Sequence, residues 1–205
     1  MANPLPSDEP RRVACIGGSI TFGLGLANRR RDCYPAMLER RLGEGFRVRN
    51  FGYSGAAVGA ATTLPYRDTP SFEAARRFRP NIVVMMLGAN DAQVANKHAT
   101  PNFENEFAAL GEEIRAWPTR HLLVVLPTPL FPPLADFSAA TLDDVIRPTI
   151  QRVAGQRGWP VVDAFTPLQP KCEWFPDGVH PAEEGAAEIA RVITPALLAE
   201  LAERP

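Results

Sequence analysis

Five short apolar segments, separated by segments with helical patterning, constrain the fold of this chain more than any other feature. The apolar segments are Arg12–Ile16, Arg47–Phe51, Ile82–Leu87, His121–Leu126 and Pro160–Asp163. The third and fourth are apolar without alternation, which is typical of strands covered on both faces. Helical patterns occupy Tyr34–Leu42, Ser71–Phe78, Phe103–Ala116, Leu142–Arg157 and Glu183–Leu201. This alternation predicts an α/β fold with a parallel sheet between two helical layers and right-handed crossovers.

The length of the chain indicates one folded unit. A chain of 205 residues is long enough to bury a sizeable hydrophobic core. We therefore predict a single domain over residues 1–205. Residues 1–10 are polar and rich in proline, so we expect them to form a loose N-terminal arm.

The balance of charge argues against two classes of partner. The chain has 22 Lys and Arg residues against 23 Asp and Glu residues, for a net charge of −1. No overall field therefore attracts nucleic acid or an anionic membrane. The longest strongly apolar run, Ile82–Leu87, is far shorter than a membrane span. We expect a small-molecule substrate and no partner of either kind.

The cysteines and the N-terminus point to a reducing compartment. Cys15, Cys33 and Cys172 are odd in number and scattered, and no Cys/His cluster indicates a metal site. The first ten residues lack the basic and apolar regions of a secretion signal. We expect a cytoplasmic protein, and secretion after removal of a signal stays open as the alternative.

Polar residues follow the predicted strands at the edge where such sheets bind their ligands. After the first strand comes Gly17-Gly18-Ser19-Ile20-Thr21. Ser19 has three readings here: a nucleophile, a helix N-cap, or part of a loop that binds phosphate through its backbone amides. The nucleophile elbow GxSxG and the nucleotide motifs GxGxxG and GxxxxGK[ST] are absent from the sequence.

The loops after the next two strands also contain groups that could take part in catalysis. In "NFGYSG", Gly55 could present its backbone N–H to a ligand, and Ser54 is a rival nucleophile. In "GAND", the carboxamide of Asn90 could donate a hydrogen bond to an oxyanion. The alternatives are a plain glycine turn at Gly55 and an Asx turn or helix cap at Asn90.

The last loop, "WFPDGVHP", contains an acid and an imidazole three residues apart. Asp177 at this spacing can hold one ring nitrogen of His180 and leave the other free to accept a proton. The alternative is that the pair caps the following helix. Trp174 and Phe175 precede it and either line a substrate pocket or pack in the core.

Taken together, these motifs resemble the SGNH (GDSL-type) hydrolases in order, spacing and placement at strand ends. The resemblance spans about residues 12–195. It implies a flavodoxin-like α/β/α sandwich with five parallel strands. It also implies a serine hydrolase that needs no cofactor or metal.

The resemblance assigns a role to each candidate residue. Ser19 would be the nucleophile, His180 the base and Asp177 its partner. The Ser19 N–H, the Gly55 N–H and the Asn90 side chain would form the oxyanion hole.

One residue departs from the family pattern. The family usually has Asp before the nucleophile, and this chain has Gly18, which we also count among the candidate pocket residues. We expect looser loops, a compensating polar group elsewhere, or a different substrate preference.

Further features resemble bacterial esterases that act on acylated carbohydrates, so an acetyl ester on a carbohydrate is the substrate that we expect. Other open readings are a broad short-chain esterase, a lysophospholipase, a thioesterase, an acyltransferase, an inactive relative, and a non-catalytic module that binds phosphate or flavin.

Overall fold

The structure, a computed structural model, describes residues 9–203 and contains the expected parallel sheet. The strands are β1 (Arg11–Gly17), β2 (Phe46–Gly52), β3 (Ile82–Met86), β4 (His121–Val125) and β5 (Val161–Val162). All neighbouring pairs are parallel, in the order β2-β1-β3-β4-β5. The predicted α/β fold with five parallel strands is confirmed. Most of the predicted N-terminal arm, residues 1–8, lies outside the described residues.

Helices connect these strands. They are α1 (Ser19–Phe22), α2 (Arg29–Asp32), α3 (Tyr34–Leu42), α4 (Pro70–Arg77), α5 (Phe103–Arg115), α6 (Ala139–Thr141), α7 (Arg147–Arg157) and α8 (Glu183–Glu203). A π-helical turn, Leu142–Ile146, joins α6 to α7. Short 3₁₀ segments cover Tyr66–Asp68, Asn90–Ala92, Val94–Asn102 and Cys172–Trp174.

The fifth strand differs most from its predicted bounds. It has two residues in place of the four of Pro160–Asp163, and it lies at the edge of the sheet. Asp163 leaves the strand because its carboxylate accepts the N–H groups of Phe165 and Thr166, both at 2.9 Å. This is the local turn that an Asp side chain favours over a ladder.

Alternate residues of each strand pack against different helical layers, as the pleat of a strand requires. In β1, Val13 and Cys15 lie in a core cluster with residues of α3 and α8. Ala14 and Ile16 lie in a second cluster with residues of α4, α5 and α7. The protein is thus a three-layer α/β/α sandwich.

The strand order places a topological switch point between β1 and β3. The chain moves from β1 outward to β2 and then returns to the other side of β1 to form β3. Gly17, the last residue of β1, pairs in register with Met86, the last residue of β3. The segments that leave these two strands therefore start side by side, where such sheets bind their ligands.

Helix α5 packs tightly against Trp159, and this contact yields a prediction about stability. An added Cβ at Gly111 would overlap the indole of Trp159, which is buried. We expect Gly111→Ala to lower the free energy of unfolding by about 1–2 kcal/mol, because overpacking outweighs the better helix propensity of Ala.

Gly155 supplies the matched control, since it is exposed on α7 and an added Cβ there would contact nothing. Gly155→Ala should raise the free energy of unfolding by up to about 1 kcal/mol in a urea titration. Equal effects of the two substitutions would contradict the prediction.

Candidate active site

The turn after β1 sets Ser19 at the switch point. Ser19 is the first residue of α1 and is buried. A Cβ at Gly17 would overlap the side chain of Thr21, and a Cβ at Gly18 would lie 2.8 Å from the Nδ2 atom of Asn90. In this chain, glycine at both positions lets the turn pass this close to the end of β3.

Ser19 lies in hydrogen-bond contact with a histidine from the far end of the chain. The Oγ atom of Ser19 is 2.8 Å from the Nε2 atom of His180, and the two residues are 161 positions apart in the sequence. The fold therefore joins the first and the last of the predicted site motifs. This distance is within the range in which a base can accept a serine proton.

Asp177 holds the other ring nitrogen of His180. Its Oδ2 atom lies 2.6 Å from Nδ1, and its Oδ1 atom accepts the N–H groups of Val179 and His180 at 2.9 Å and 2.7 Å. Partial burial raises the pKa of Asp177, but these hydrogen bonds to the carboxylate outweigh it and leave that pKa below its ordinary value. An ionised Asp177 accepts a hydrogen bond from the Nδ1–H group of His180, and this tautomer leaves the lone pair of Nε2 facing Ser19.

Three hydrogen-bond donors lie around the same corner of the sheet. Asn90 is buried, and its Nδ2 atom donates to the carbonyl oxygen of Ala56 at 2.8 Å. Gly55 adopts a φ of 83° in the neighbouring turn. Within residues 9–203, the backbone N–H groups of Ser19 and Gly55 have no acceptor. The predicted oxyanion-hole residues thus come from three different loops.

A small cavity opens beside Ser19. Inside this cavity, the centre of a water-sized sphere can occupy a volume of about 20 Å³, so there is room for one or two small groups. Its lining is mostly apolar and comes from Gly18, Ser19, Ile20, Ala56, Met86, Leu87, Gly88, Ala89, Asn90 and Pro127.

Trp174 and Phe175, the two aromatic candidates for the substrate pocket, lie outside the cavity beside Ser19. Phe175 is buried in the core, with its ring 4.9 Å from that of Phe131. Trp174 is half-buried and packs against the same core cluster, with the Nζ atom of Lys171 4.9 Å from its ring. Neither lines the cavity beside Ser19, so the core-packing alternative describes Phe175.

Asp91 is a residue of this site that the motifs did not single out. Its buried carboxylate accepts the N–H of Val58 at 2.9 Å and the N–H of Gly59 at 3.0 Å. It therefore ties the loop after β3 to the loop that contains Gly55 and Ala56. Asp91 supplies a buried carboxylate to these loops, whereas position 18 has none. The only feature of the sequence that pointed to Asp91 was its position directly after Asn90.

Burial raises the pKa of Asp91 to about 6, although its hydrogen bonds oppose the shift. The folded protein then binds a proton more tightly than the unfolded chain between about pH 4 and pH 6. The resulting stability is present at low pH and is lost as pH rises through about 6.

We expect the free energy of unfolding of the wild type, relative to Asp91→Asn, to fall by about 2 kcal/mol between about pH 4.5 and pH 7. Urea titrations at both pH values measure this difference. Asp144→Asn is the control, because Asp144 is exposed on the π-helical turn. Parallel pH profiles for wild type and Asp91→Asn would contradict the raised pKa.

Three observations concern other classes of site. Across the described part of the chain, no helix has the length and apolar character that a membrane crossing needs. Over the same residues, no three His, Cys, Asp or Glu side chains are grouped as metal ligands. Cys15 and Cys33 are buried as free thiols, and Cys172 is an exposed one.

Comparison with known proteins gives a family for this geometry. The family model of the GDSL-like lipase/acylhydrolases matches residues 15–188, a range that includes Ser19, Gly55, Asn90, Asp177 and His180. Among curated proteins, the chain is 32% identical over 213 residues to an acetylxylan esterase of Xylanibacter ruminicola. The alignment covers 95% of this chain and 44% of that protein, so the chain spans less than half the length of this relative.

Solved structures share the fold over nearly the whole chain. An aryl esterase of M. smegmatis superimposes with a TM-score of 0.75 at 18% identity, covering 92% of this chain and 99% of the other. A carbohydrate acetylesterase family member from Sinorhizobium meliloti gives a TM-score of 0.74 at 21% identity and covers 94% and 99%. The resemblance to SGNH hydrolases is thereby confirmed, and the chain belongs to the GDSL-like lipase/acylhydrolase family.

Proposed function

We propose that this protein is a serine esterase that removes short acyl groups, acetyl above all, from carbohydrate esters. The observation that carries the proposal is the unbroken contact from Ser19 through His180 to Asp177, at 2.8 Å and 2.6 Å. A serine held this way is an activated nucleophile, and its base is in turn oriented by a carboxylate.

In the first half of the reaction, the Oγ atom of Ser19 attacks the ester carbonyl carbon. The Nε2 atom of His180 takes the serine proton, and Asp177 stabilises the imidazolium that forms. When the tetrahedral intermediate collapses, its bond to the alcohol oxygen breaks. His180 gives its proton to that oxygen, and the alcohol leaves with the acyl group bound to Ser19.

In the second half, water takes the place of the alcohol. His180 removes a proton from the water, and the resulting hydroxide attacks the acyl-enzyme carbonyl. Collapse of this second intermediate releases the acid and returns the proton to Ser19.

The carbonyl oxygen acquires negative charge in both halves. The N–H groups of Ser19 and Gly55 and the Nδ2 atom of Asn90 are the donors available to it. Each such donor contributes about 3–4 kcal/mol to the transition state when it is preorganised and shielded from water. The Nδ2 group has two hydrogens, so Asn90 can keep its bond to Ala56 and donate to the oxyanion as well.

The size of the cavity beside Ser19 supports a short acyl group. A space of about 20 Å³ for the centre of a water-sized sphere is enough for the methyl group of an acetyl ester. The carbohydrate part of the proposal is supported by two similar proteins, an acetylxylan esterase and a carbohydrate acetylesterase family member.

The proposal is tested with p-nitrophenyl acetate and an acetylated xylan, together with fluorophosphonate labelling. Ser19→Ala should abolish labelling and lower turnover by about 10⁶-fold. Ser54→Ala, the rival serine in the next loop, is the matched control and should retain both. Activity should fall from acetyl through butyryl to octanoyl esters, because the small cavity beside Ser19 fits a short acyl group best. Full turnover by Ser19→Ala would refute the mechanism, and a preference for octanoyl would refute the acyl assignment.

Gly18 offers a second test, because it separates the oxyanion hole from the nucleophile. Its φ of −86° suits alanine, but the added Cβ would press on the Nδ2 atom of Asn90. We expect Gly18→Ala to lower kcat on p-nitrophenyl acetate by about 10²-fold, since it displaces one oxyanion donor. Fluorophosphonate labelling should slow as well, because that reaction also builds charge on oxygen.

Gly45→Ala is the control, since Gly45 is exposed and an added Cβ there meets nothing within 4 Å. If Gly18→Ala retained the wild-type kcat, Asn90 would not be an oxyanion donor in the position that it occupies here.

A further inference from the structure

The amide of Asn90 has two ends, and only one of them faces the proposed oxyanion. Its Nδ2 end donates to the carbonyl of Ala56, as described above. Its Oδ1 end accepts a hydrogen bond from the Nε2 atom of Gln93 at 3.0 Å. Gln93 thus binds the proposed oxyanion donor from behind, through the atom that takes no part in substrate contact.

The backbone of Gln93 is held by a neighbouring loop. Gln93 forms an antiparallel bridge with Phe137, in the connection between β4 and α6. The N–H of Val94 donates to the carbonyl of Asp136 at 2.9 Å, and the N–H of Ser138 donates to the carbonyl of Ala92 at 2.9 Å. These contacts fix the main chain of Gln93 next to the loop that contains Asn90.

A third carboxamide, that of Asn96, secures the backbone of the same segment. Asn96 is fully buried, and its Nδ2 atom donates to the main-chain carbonyl of Asn90 at 2.7 Å. Its Oδ1 atom accepts the N–H of Thr63 at 2.9 Å. Because a backbone N–H can only donate, this bond settles which end of the Asn96 amide is oxygen.

The same reasoning defines the orientation of Asn90. The carbonyl of Ala56 can only accept, so the nitrogen of the Asn90 amide must face it. The oxygen then faces Gln93, which must present its own nitrogen. A rotated Asn90 amide would set oxygen against the carbonyl of Ala56 and nitrogen against nitrogen at Gln93, and both arrangements are repulsive.

We propose that Gln93 is a positioning residue of this hydrolase: it holds the Asn90 amide with its nitrogen toward the oxyanion and polarises it. A donor at Oδ1 draws electron density from the amide and strengthens the hydrogen bonds that Nδ2 donates. The inference rests on the proposed function, because the oxyanion is that of the esterase reaction. It adds a residue that lies outside the contact from Ser19 to Asp177.

The test compares two variants of Gln93 on p-nitrophenyl acetate. Gln93→Leu removes the donor at similar volume, and we expect kcat to fall about 10-fold with little change in KM. The loss is smaller than the 10²–10³-fold that follows removal of an oxyanion donor itself.

Gln93→Glu provides a second measurement, the pH dependence of kcat, which would not change if Gln93 only supported the fold. Its ionised carboxylate opposes the Oδ1 atom of Asn90, whereas the protonated acid can donate to it. We therefore expect the ratio of variant to wild-type kcat to rise several-fold as pH is lowered from about 8 to about 5. Using the ratio removes the titration that both enzymes share at His180.

Gln151→Glu is the matched control, because Gln151 is exposed on α7, and its ratio should stay near one. A ratio for Gln93→Glu that is independent of pH, or a kcat within about twofold of wild type in both Gln93 variants, overturns the inference while leaving the esterase intact. Loss of hydrolysis by the wild type, or full activity in Ser19→Ala, overturns both. If Gln93→Leu does not fold, the pH ratio of Gln93→Glu decides alone.

Discussion

The close approach of the β1 and β3 ends is the constraint on which the rest of the site depends. Gly17 lies directly against the carbonyl of Met86, and Gly18 lies against the amide of Asn90. With no side chain at either position, the first turn of α1 can set Ser19 beside the loop after β3. In this chain a Cβ at position 18 would press on the Nδ2 atom of Asn90, so Gly18 lets Ser19 and the proposed oxyanion donor lie side by side.

The polar and charged groups at this corner differ in their exposure to water. Ser19, Asn90 and Asp91 are buried, whereas the side chain of Asp177 is 57% exposed. Fixed dipoles act most strongly where water is excluded, so the oxyanion side of the site has the stronger electrostatic effect. Asp177 works in partial contact with water, and its hydrogen bonds to His180 serve mainly to orient the ring.

Position 18 has no carboxylate, but Asp91 provides a buried one at the same corner of the sheet. Asp91 joins the loop after β3 to Val58 and Gly59, and these follow directly on Gly55 and Ala56. A buried carboxylate is costly unless it is well hydrogen-bonded, which these backbone N–H groups provide. The loops that contain Gly55 and Asn90, two of the three proposed oxyanion donors, are thus connected by a carboxylate that does not come from position 18.

The sequence alone predicted the sheet and most residues of the candidate site. Apolar runs alternating with helical patterns predict a parallel sheet, and the carboxyl ends of its strands share one edge, so the loops with Ser19, Gly55, Asn90 and His180 are expected to lie near each other. Tertiary structure alone decided the contacts of Asp91 and Gln93, the burial of Phe175 and the two-residue length of β5. These depend on which groups face each other across distant loops and on how far water is excluded, and no local pattern encodes either.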